Sequence, residues 1–526
     1  MIIPTTIMQE EIFQLSQLIL THANTLVETC KSQKFEVPSS HSLHNSQQFR
    51  QDSSANLSAD IITTAALQLI TIITPGNELI LSLLNGHYYT AALRVCIKLN
   101  IAEIIREGGS QGMHFTEIAN RCAIDEGKLG SIDQRPYSLV LLTIASFTER
   151  ILRLLSLRHV FREGPPGVFS NNRLSEALDT GKAVHELNTK PESKHRNTSG
   201  EVAMFEIRYG SLHIYIRFKF QWQLTRSEGP KLSSSLFETL TDSRIKLSDK
   251  PNETAFQHVM GTQMPFWEYI DQPQNELIRY RFNIAMRGWA MNNDPESSIL
   301  RCLDWHTLGQ DAKVVDIGGG IGSAMIPLAN NFPNLQIIIE DVPAVIKDGT
   351  TFWNAQRSQK VIAKLVYDCN FLTRTECNIF GEQPVKDAAV FHIRRVLHNW
   401  SDRYAKRILL ALHQAATPKT KLVVAELLLH PTCVDPINDN GTEISGYQYK
   451  CAPKPLLANY GSTHEVSYMT DLTMLTLFNG QDRTLAAMQR LLEDSGWYIT
   501  HIYGENERHL AHIVAERGPP KTSVKL

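Results

Sequence analysis

Residues 314–325, VVDIGGGIGSAM, join an apolar, β-branched run to a cluster of glycines. Val314, Val315 and Ile317 have the character of a buried parallel strand. Gly318, Gly319, Gly320 and Gly322 remove every Cβ where the backbone must bend around a ligand, and a helix is expected from about Ser323. The chemistry this suits is nucleotide binding. The spacing Gly318-x-Gly320-x-Gly322 departs from the dinucleotide fingerprint, whose third glycine falls one residue later, which weakens a nicotinamide reading. Asp316 sits in the strand end. Roughly twenty residues beyond the glycines, where a doubly wound sheet places an acid for the ribose hydroxyls, LQIIIEDV (335–342) closes on Glu340 and Asp341. A carboxylate there could equally cap the next helix.

The second reactive constellation centres on a histidine. AAVFHIRRVLHNW (388–400) reads as a further strand that hands His398 to a loop, before a helix capped by Ser401 or Asp402 and carried by Ile408, Leu409 and Leu412. An imidazole of pKa about 6.5 can take the proton of a hydroxyl as it attacks, although a histidine in this place can also be structural. A base needs a carboxylate to fix its tautomer. Glu426, at the end of KLVVAE, and Asp482, in FNGQDRT, are candidates through the resemblance of their strings to a known enzyme family. As bare sequence, Glu426 can also be an edge-of-sheet acid and Asp482 a turn residue. His392, His398, His413 and His430 show no metal-ligand spacing, so no metal is expected.

The string D-x-G-x-G-x-G from Asp316 resembles the first motif of S-adenosylmethionine-dependent methyltransferases, and DVPAVI resembles the DLP-type segment of plant and fungal O-methyltransferases. RRVLHNWSD is similar to the H-D/N-W-S/P-D motif of the caffeate-type enzymes, in their fungal secondary-metabolism branch. The resemblance implies an α/β fold: a Rossmann-like methyltransferase domain with an N-terminal, mainly helical, winged-helix dimerisation domain. It implies S-adenosyl-L-methionine as cofactor, with Asp316, Gly318, Gly320, Asp341, Asp368 and Arg394 around it. His398 is then the general base, flanked by Glu426 and Asp482, where many relatives carry glutamate in the second place. Met286 and Trp289, in RFNIAMRGW, take substrate-pocket positions by the same resemblance and core positions as bare sequence. The expected acceptor is a phenolic or polyketide-like hydroxyl of a small metabolite. Rival readings are a non-catalytic, cofactor-binding regulatory homologue and methyl transfer to nitrogen or carbon.

The 526 residues, 42% hydrophobic and 20% charged, are enough for at least two domains. The expected division is a polar N-terminal arm (1–56), a helical, winged-helix dimerisation domain (57–255) and the cofactor-binding catalytic domain (256–526). Net charge of −2 gives no basic footprint for nucleic acid. HFTEIANRCAIDEGKL reads as helix–turn–helix, but Glu117, Asp125 and Glu126 against Arg121 and Lys128 suit phosphate poorly. A homodimer through residues near Ile61–Ile73 and Tyr88–Ile105 is expected instead. Eight cysteines without C-x-x-C suggest reduced thiols and a cytoplasmic location. The apolar stretches around Ile61–Ile73 and Leu139–Phe147 look too short or too polar to span a membrane. Three stretches, 131–149, 201–225 and 372–380, look inserted, either as surface loops or as translated intron sequence.

Overall fold

The computed structural model describes residues 5–37, 48–122, 148–208, 232–245, 248–293, 298–343, 345–347, 349, 350, 353, 364–367, 379–433, 444–447, 449, 451–504 and 510–518. The chain divides into two compact units, Met1–Pro230 with Tyr280–Trp289, and Lys231–Arg279 with Ala290–Leu526. This differs from the three segments expected from sequence. The N-terminal stretch has its own packing partner: the helix Thr5–Gln33 lies along Ser53–Ile73, and Cys30, Phe49, Ala55 and Ala59 form an apolar cluster with Leu26 and Phe35. Asp52 caps the second helix, accepting from the backbone N–H groups of Ser54 and Ala55. By length and composition Ser53–Ile73 is long and apolar enough to cross a bilayer, contrary to the estimate from its apolar stretch alone.

The rest of the first unit is helical with a small sheet. Strands β1 (Met113–His114), β2 (Arg162–Glu163) and β3 (Val168–Ser170) pair in the order β1-β3-β2, all antiparallel. With the helices Ile101–Glu107 and Phe115–Cys122 they make the winged-helix pattern. Ile101, Ile104, Ile105, Ile118, Phe161 and Phe169 are its buried core. Residues 201–208, read from sequence as inserted, form a helix whose Val202 packs into this core. On the same helix the buried Glu206 gathers Lys98 at 3.2 Å, His195 at 3.3 Å, Arg281 at 3.6 Å and Lys194 at 3.8 Å. Burial alone would push the Glu206 carboxyl up, but His195, Lys98 and Lys194 outweigh it and hold the group well below the usual carboxylate range. Its contribution to stability is therefore complete above about pH 4.5 and is lost only as pH falls towards the depressed value. Glu206→Gln, which strands the cations, is expected to cost roughly 3–5 kcal/mol, read as a lower urea midpoint at pH 7. The remainder of that stretch, and 131–147 and 372–378 of the other two, lie outside the described residues.

The second unit is built on seven strands: β4 (Lys313–Ile317), β5 (Gln336–Glu340), β6 (Lys364–Tyr367), β7 (Val390–Arg394), β8 (Lys421–Glu426), β11 (Trp497–Tyr503) and β12 (Ala511–Arg517). Their order is β11-β12-β8-β7-β4-β5-β6, parallel from β8 to β6, with β12 and β11 antiparallel. Consecutive apolar residues such as Val314–Val315 and Leu422–Ala425 occur within these strands because both faces are covered. Val315, Ile338, Phe391 and Val424 face one core with Leu409 and Leu412 of the helix Asp402–Ala415. Val314, Ile337, Ile339, Val390, Val423 and Val514 face the other, with Trp305 and Leu328. The chain leaves β4 towards β5 and β6, then returns to β7 on the other side of β4. The strand order thus reverses between β4 and β7, and in open α/β sheets a crevice for ligands opens at the carboxyl ends of such a pair.

Candidate active site

Four sequence-predicted groups leave the sheet at these carboxyl ends: the glycines after β4, Asp341 after β5, His398 after β7 and Glu426 ending β8. Asp482 arrives from far along the chain. A short parallel pair carries it there, with β9 (Leu428–Leu429) separated from β8 by Leu427 and β10 (Arg483–Thr484) directly following Asp482, in register Arg483 to Leu428.

His398 lies in the short turn Leu397–Asn399 and is buried, with Nδ1 3.0 Å from Asp482 Oδ1 and 3.9 Å from Glu426 Oε2. A carboxylate at Nδ1 fixes the tautomer with the proton on that nitrogen and leaves Nε2 as the acceptor. The aspartate thus reaches the ring although its side chain is one carbon shorter than a glutamate's. Glu426 does something else. Its Oε1 accepts the backbone N–H groups of Val396 at 3.1 Å and His398 at 3.3 Å, so it holds the loop that carries the imidazole. Burial pushes the Glu426 carboxyl up, His398 pulls it back and Asp482 raises it again. The donor atoms of His398, Glu426 and Asp482 all lie within 4.8 Å of one another, a grouping that could also chelate a cation and that histidine spacing did not reveal.

Two residues here escaped the sequence reading. Arg483 is buried beneath the loop and donates to the carbonyls of Leu397 at 2.9 Å and Trp400 at 2.8 Å and to Asp402 at 2.9 Å. Gly480 passes so close that a Cβ would strike the His398 carbonyl oxygen. The only sequence signal was their place beside Asp482 in FNGQDRT. Ser401 is the N-cap residue of its helix, as expected, but its hydroxyl donates to Asp249 at 3.3 Å instead of capping, and Asp402, the first helical residue, takes Arg483.

The glycine turn is tied to β5 by the N–H groups of Gly318 and Gly319, which donate to Glu340 O at 2.8 and 3.2 Å. Three glycines are required by the protein itself. A Cβ on Gly318 would meet Val396 at 2.8 Å, one on Gly319 would run into Asp316 Oδ2, and one on Gly322 would meet Trp353 at 2.8 Å. Gly320 differs: its φ is +61°, and a Cβ there would enter open space, the property of a cradle for a ligand. Asp341 borders that space, its Oδ2 accepting from Gly320 N at 2.8 Å and its Oδ1 from Val342 N at 2.7 Å. Burial raises its carboxyl to about 6, against the two backbone bonds and with help from Asp316 and Asp271. Glu340, the other acid in the string, is buried and accepts from Gln383 at 2.9 Å. Asp316 is also buried, its Oδ1 2.7 Å from His392 Nδ1, so it supports the turn from beneath. Arg394 ends β7, half-buried, in register with Ala425.

Met286 belongs to the first unit, on the helix Glu276–Asn293, and is 38% exposed, so it is no core residue. The Trp289 side chain and Asp368 lie outside the described residues.

Residues 237–445 match an O-methyltransferase domain family and residues 81–181 an O-methyltransferase dimerisation domain. A protein of Phanerochaete chrysosporium named 4-O-methyltransferase 1 is 31% identical over 498 residues, covering 94% of this chain and 96% of that one. An O-methyltransferase of Armillaria gallica is 30% identical, covering 95% and 98%. Among solved structures, OxaC, determined with S-adenosylhomocysteine and oxaline, superposes with a TM-score of 0.60 at 15% identity over 96% of this chain and all of that one, a likeness of fold.

Proposed function

The chain belongs to the S-adenosylmethionine-dependent O-methyltransferases, and from that premise we propose that it methylates a phenolic or polyketide-like hydroxyl of a small aromatic metabolite, with His398 as general base. The observation that carries the reading is the 3.0 Å contact between His398 Nδ1 and Asp482. A phenol of pKa about 10 is mostly protonated at pH 7, and a neutral imidazole held in the right tautomer can accept its proton during attack. Asp482 stabilises the imidazolium that results, and Glu426 fixes the loop so that the ring stays aimed. When bound, S-adenosylmethionine supplies a methyl group already activated on a sulfonium. The glycine turn, with the open face of Gly320 and Asp341 beside it, suits that cofactor, so catalysis rests chiefly on holding acceptor and donor in line.

Release of S-adenosylhomocysteine with a panel of phenols, unaffected by EDTA, is the expected result. Cofactor binding without turnover on any acceptor would favour the regulatory homologue, methyl transfer only to amines or carbon would move the acceptor, and loss of rate in EDTA would favour a cation at the His398 cluster.

Asp341 gives the cofactor site a pH dependence. Its ionised form accepts ribose hydroxyls, and its carboxyl sits at about 6 in the free protein. Affinity for S-adenosylhomocysteine should therefore be complete above pH 7 and fall towards tenfold per unit below pH 6. Calorimetry from pH 5 to 8 reads this, and Asp341→Asn should bind weakly at every pH with that limb flattened.

A homodimer is part of the same proposal. Ile70, Ile73, Ile80, Leu81, Leu83 and Leu84 are exposed, Leu83 by 76%, a larger apolar display than a monomer usually keeps. Ile101, Ile104 and Ile105, within the interface expected from sequence, are spent in the unit's own core, so the exposed run is the better candidate. Light scattering at micromolar concentration should give twice 59.4 kDa, and Leu83→Asp with Leu84→Asp should give the monomer. Eight cysteines without a C-x-x-C pair suit reduced thiols, and a cytoplasmic location belongs to the same proposal.

A further inference from the structure

Asp316 and His392 face each other at the same register on the parallel strands β4 and β7, in the centre of the sheet. Both are buried, at 1% and 0% exposure, on the face whose other members are Val314, Ile339, Val390 and Val423. An apolar wall is a costly place for a carboxylate and an imidazole, and a pair of apolar residues would stabilise the sheet at least as well. The geometry gives the pair a different use. Asp316 Oδ1 is taken by His392 Nδ1 at 2.7 Å, while Oδ2, which has no hydrogen-bond partner among the described residues, lies directly under Gly319. Oδ2 is therefore packed against the backbone of the turn next to Gly320.

We propose that His392 is a positioning residue of the cofactor site: by holding one oxygen of Asp316 it aims the other at the glycine turn, and so sets the shape and charge of the surface beneath the bound cofactor. The inference rests on the reading of Gly318–Gly322 as that site. His392 lies on the strand that leads to His398, but its hydrogen bond goes to Asp316 beneath the glycine turn, so its effect is expected in cofactor affinity and not in the chemistry of His398. Its ring nitrogen acts as a donor to Oδ1, a role an asparagine amide can take over at about the same distance from the backbone, whereas leucine fills the space and donates nothing.

The test is calorimetric titration of S-adenosylhomocysteine into the full-length protein, beside kcat and acceptor KM at saturating cofactor. His392→Leu is expected to raise the cofactor Kd about tenfold, within the range of coupled neighbours, while leaving kcat and acceptor KM within about twofold. His392→Asn should restore most of the affinity, and His392→Leu combined with Asp316→Asn should be no worse than the poorer single variant, because the two residues act as one unit. An unchanged Kd in a folded His392→Leu, a fall in kcat with Kd intact, or additive losses in the double variant would each overturn the proposal. If leucine prevents folding, His392→Asn decides: affinity near that of the wild type upholds the donor role, and a loss as large as that of Asp316→Asn refutes it. Failure of the underlying site reading looks different, since Gly320→Val would then bind the cofactor as the wild type does.

Discussion

Replacing His398 by alanine is expected to lower kcat by about 10²- to 10⁴-fold at pH 7 while the Kd for S-adenosylhomocysteine stays within about twofold. On the proposed reading the imidazole takes the acceptor's proton, and it belongs to the loop after β7, whereas the cofactor is held at the glycine turn after β4. The two carboxylates should separate in the same assay. Asp482→Asn removes the charge 3.0 Å from Nδ1; its amide oxygen can still accept from the ring but no longer stabilises an imidazolium, so it should follow the alanine variant most of the way. Glu426→Gln should lose much less, because a glutamine oxygen can accept the same two backbone N–H groups of Val396 and His398. An alanine variant at near-wild-type rate on a phenol of ordinary pKa would remove His398 from the mechanism, and equal losses for both acids would overturn the division of labour between them.

The second large effect belongs to Gly320. Gly320→Val is expected to weaken cofactor binding by about 100-fold or more, because its Cβ enters open space where the ligand should lie and meets no protein atom. A branched side chain at φ of +61° adds strain of about 1–3 kcal/mol, so some loss of thermal stability accompanies it. Gly319→Ala makes the contrast: its Cβ would run into Asp316, so stability should fall before affinity does. Melting curves beside titration calorimetry separate the two, and equal affinity of wild type and Gly320→Val would contradict the assignment of the turn.

By itself the sequence determined the parts that local chemistry dictates. An apolar β-branched run ending in glycines can only be a buried strand entering a tight turn, and Ile408, Leu409 and Leu412 at helical spacing can only line one face of a helix. The histidine motif was legible too, because His398 lies inside a contiguous string. What the sequence left open were relations between distant residues. Whether Glu340 or Asp341 turns to the glycines depends on which face of the sheet each occupies, and a one-residue difference reverses it. Whether Asp482 reaches the imidazole depends on the pairing of β9 with β10, and the work of Arg483 and Gly480 exists only once that pairing has laid their segment against the His398 loop. The pairing of Asp316 with His392 is set by the crossover that brings β7 beside β4. Residues 76 positions apart share a hydrogen bond because strand order, a property of the whole sheet, made them neighbours.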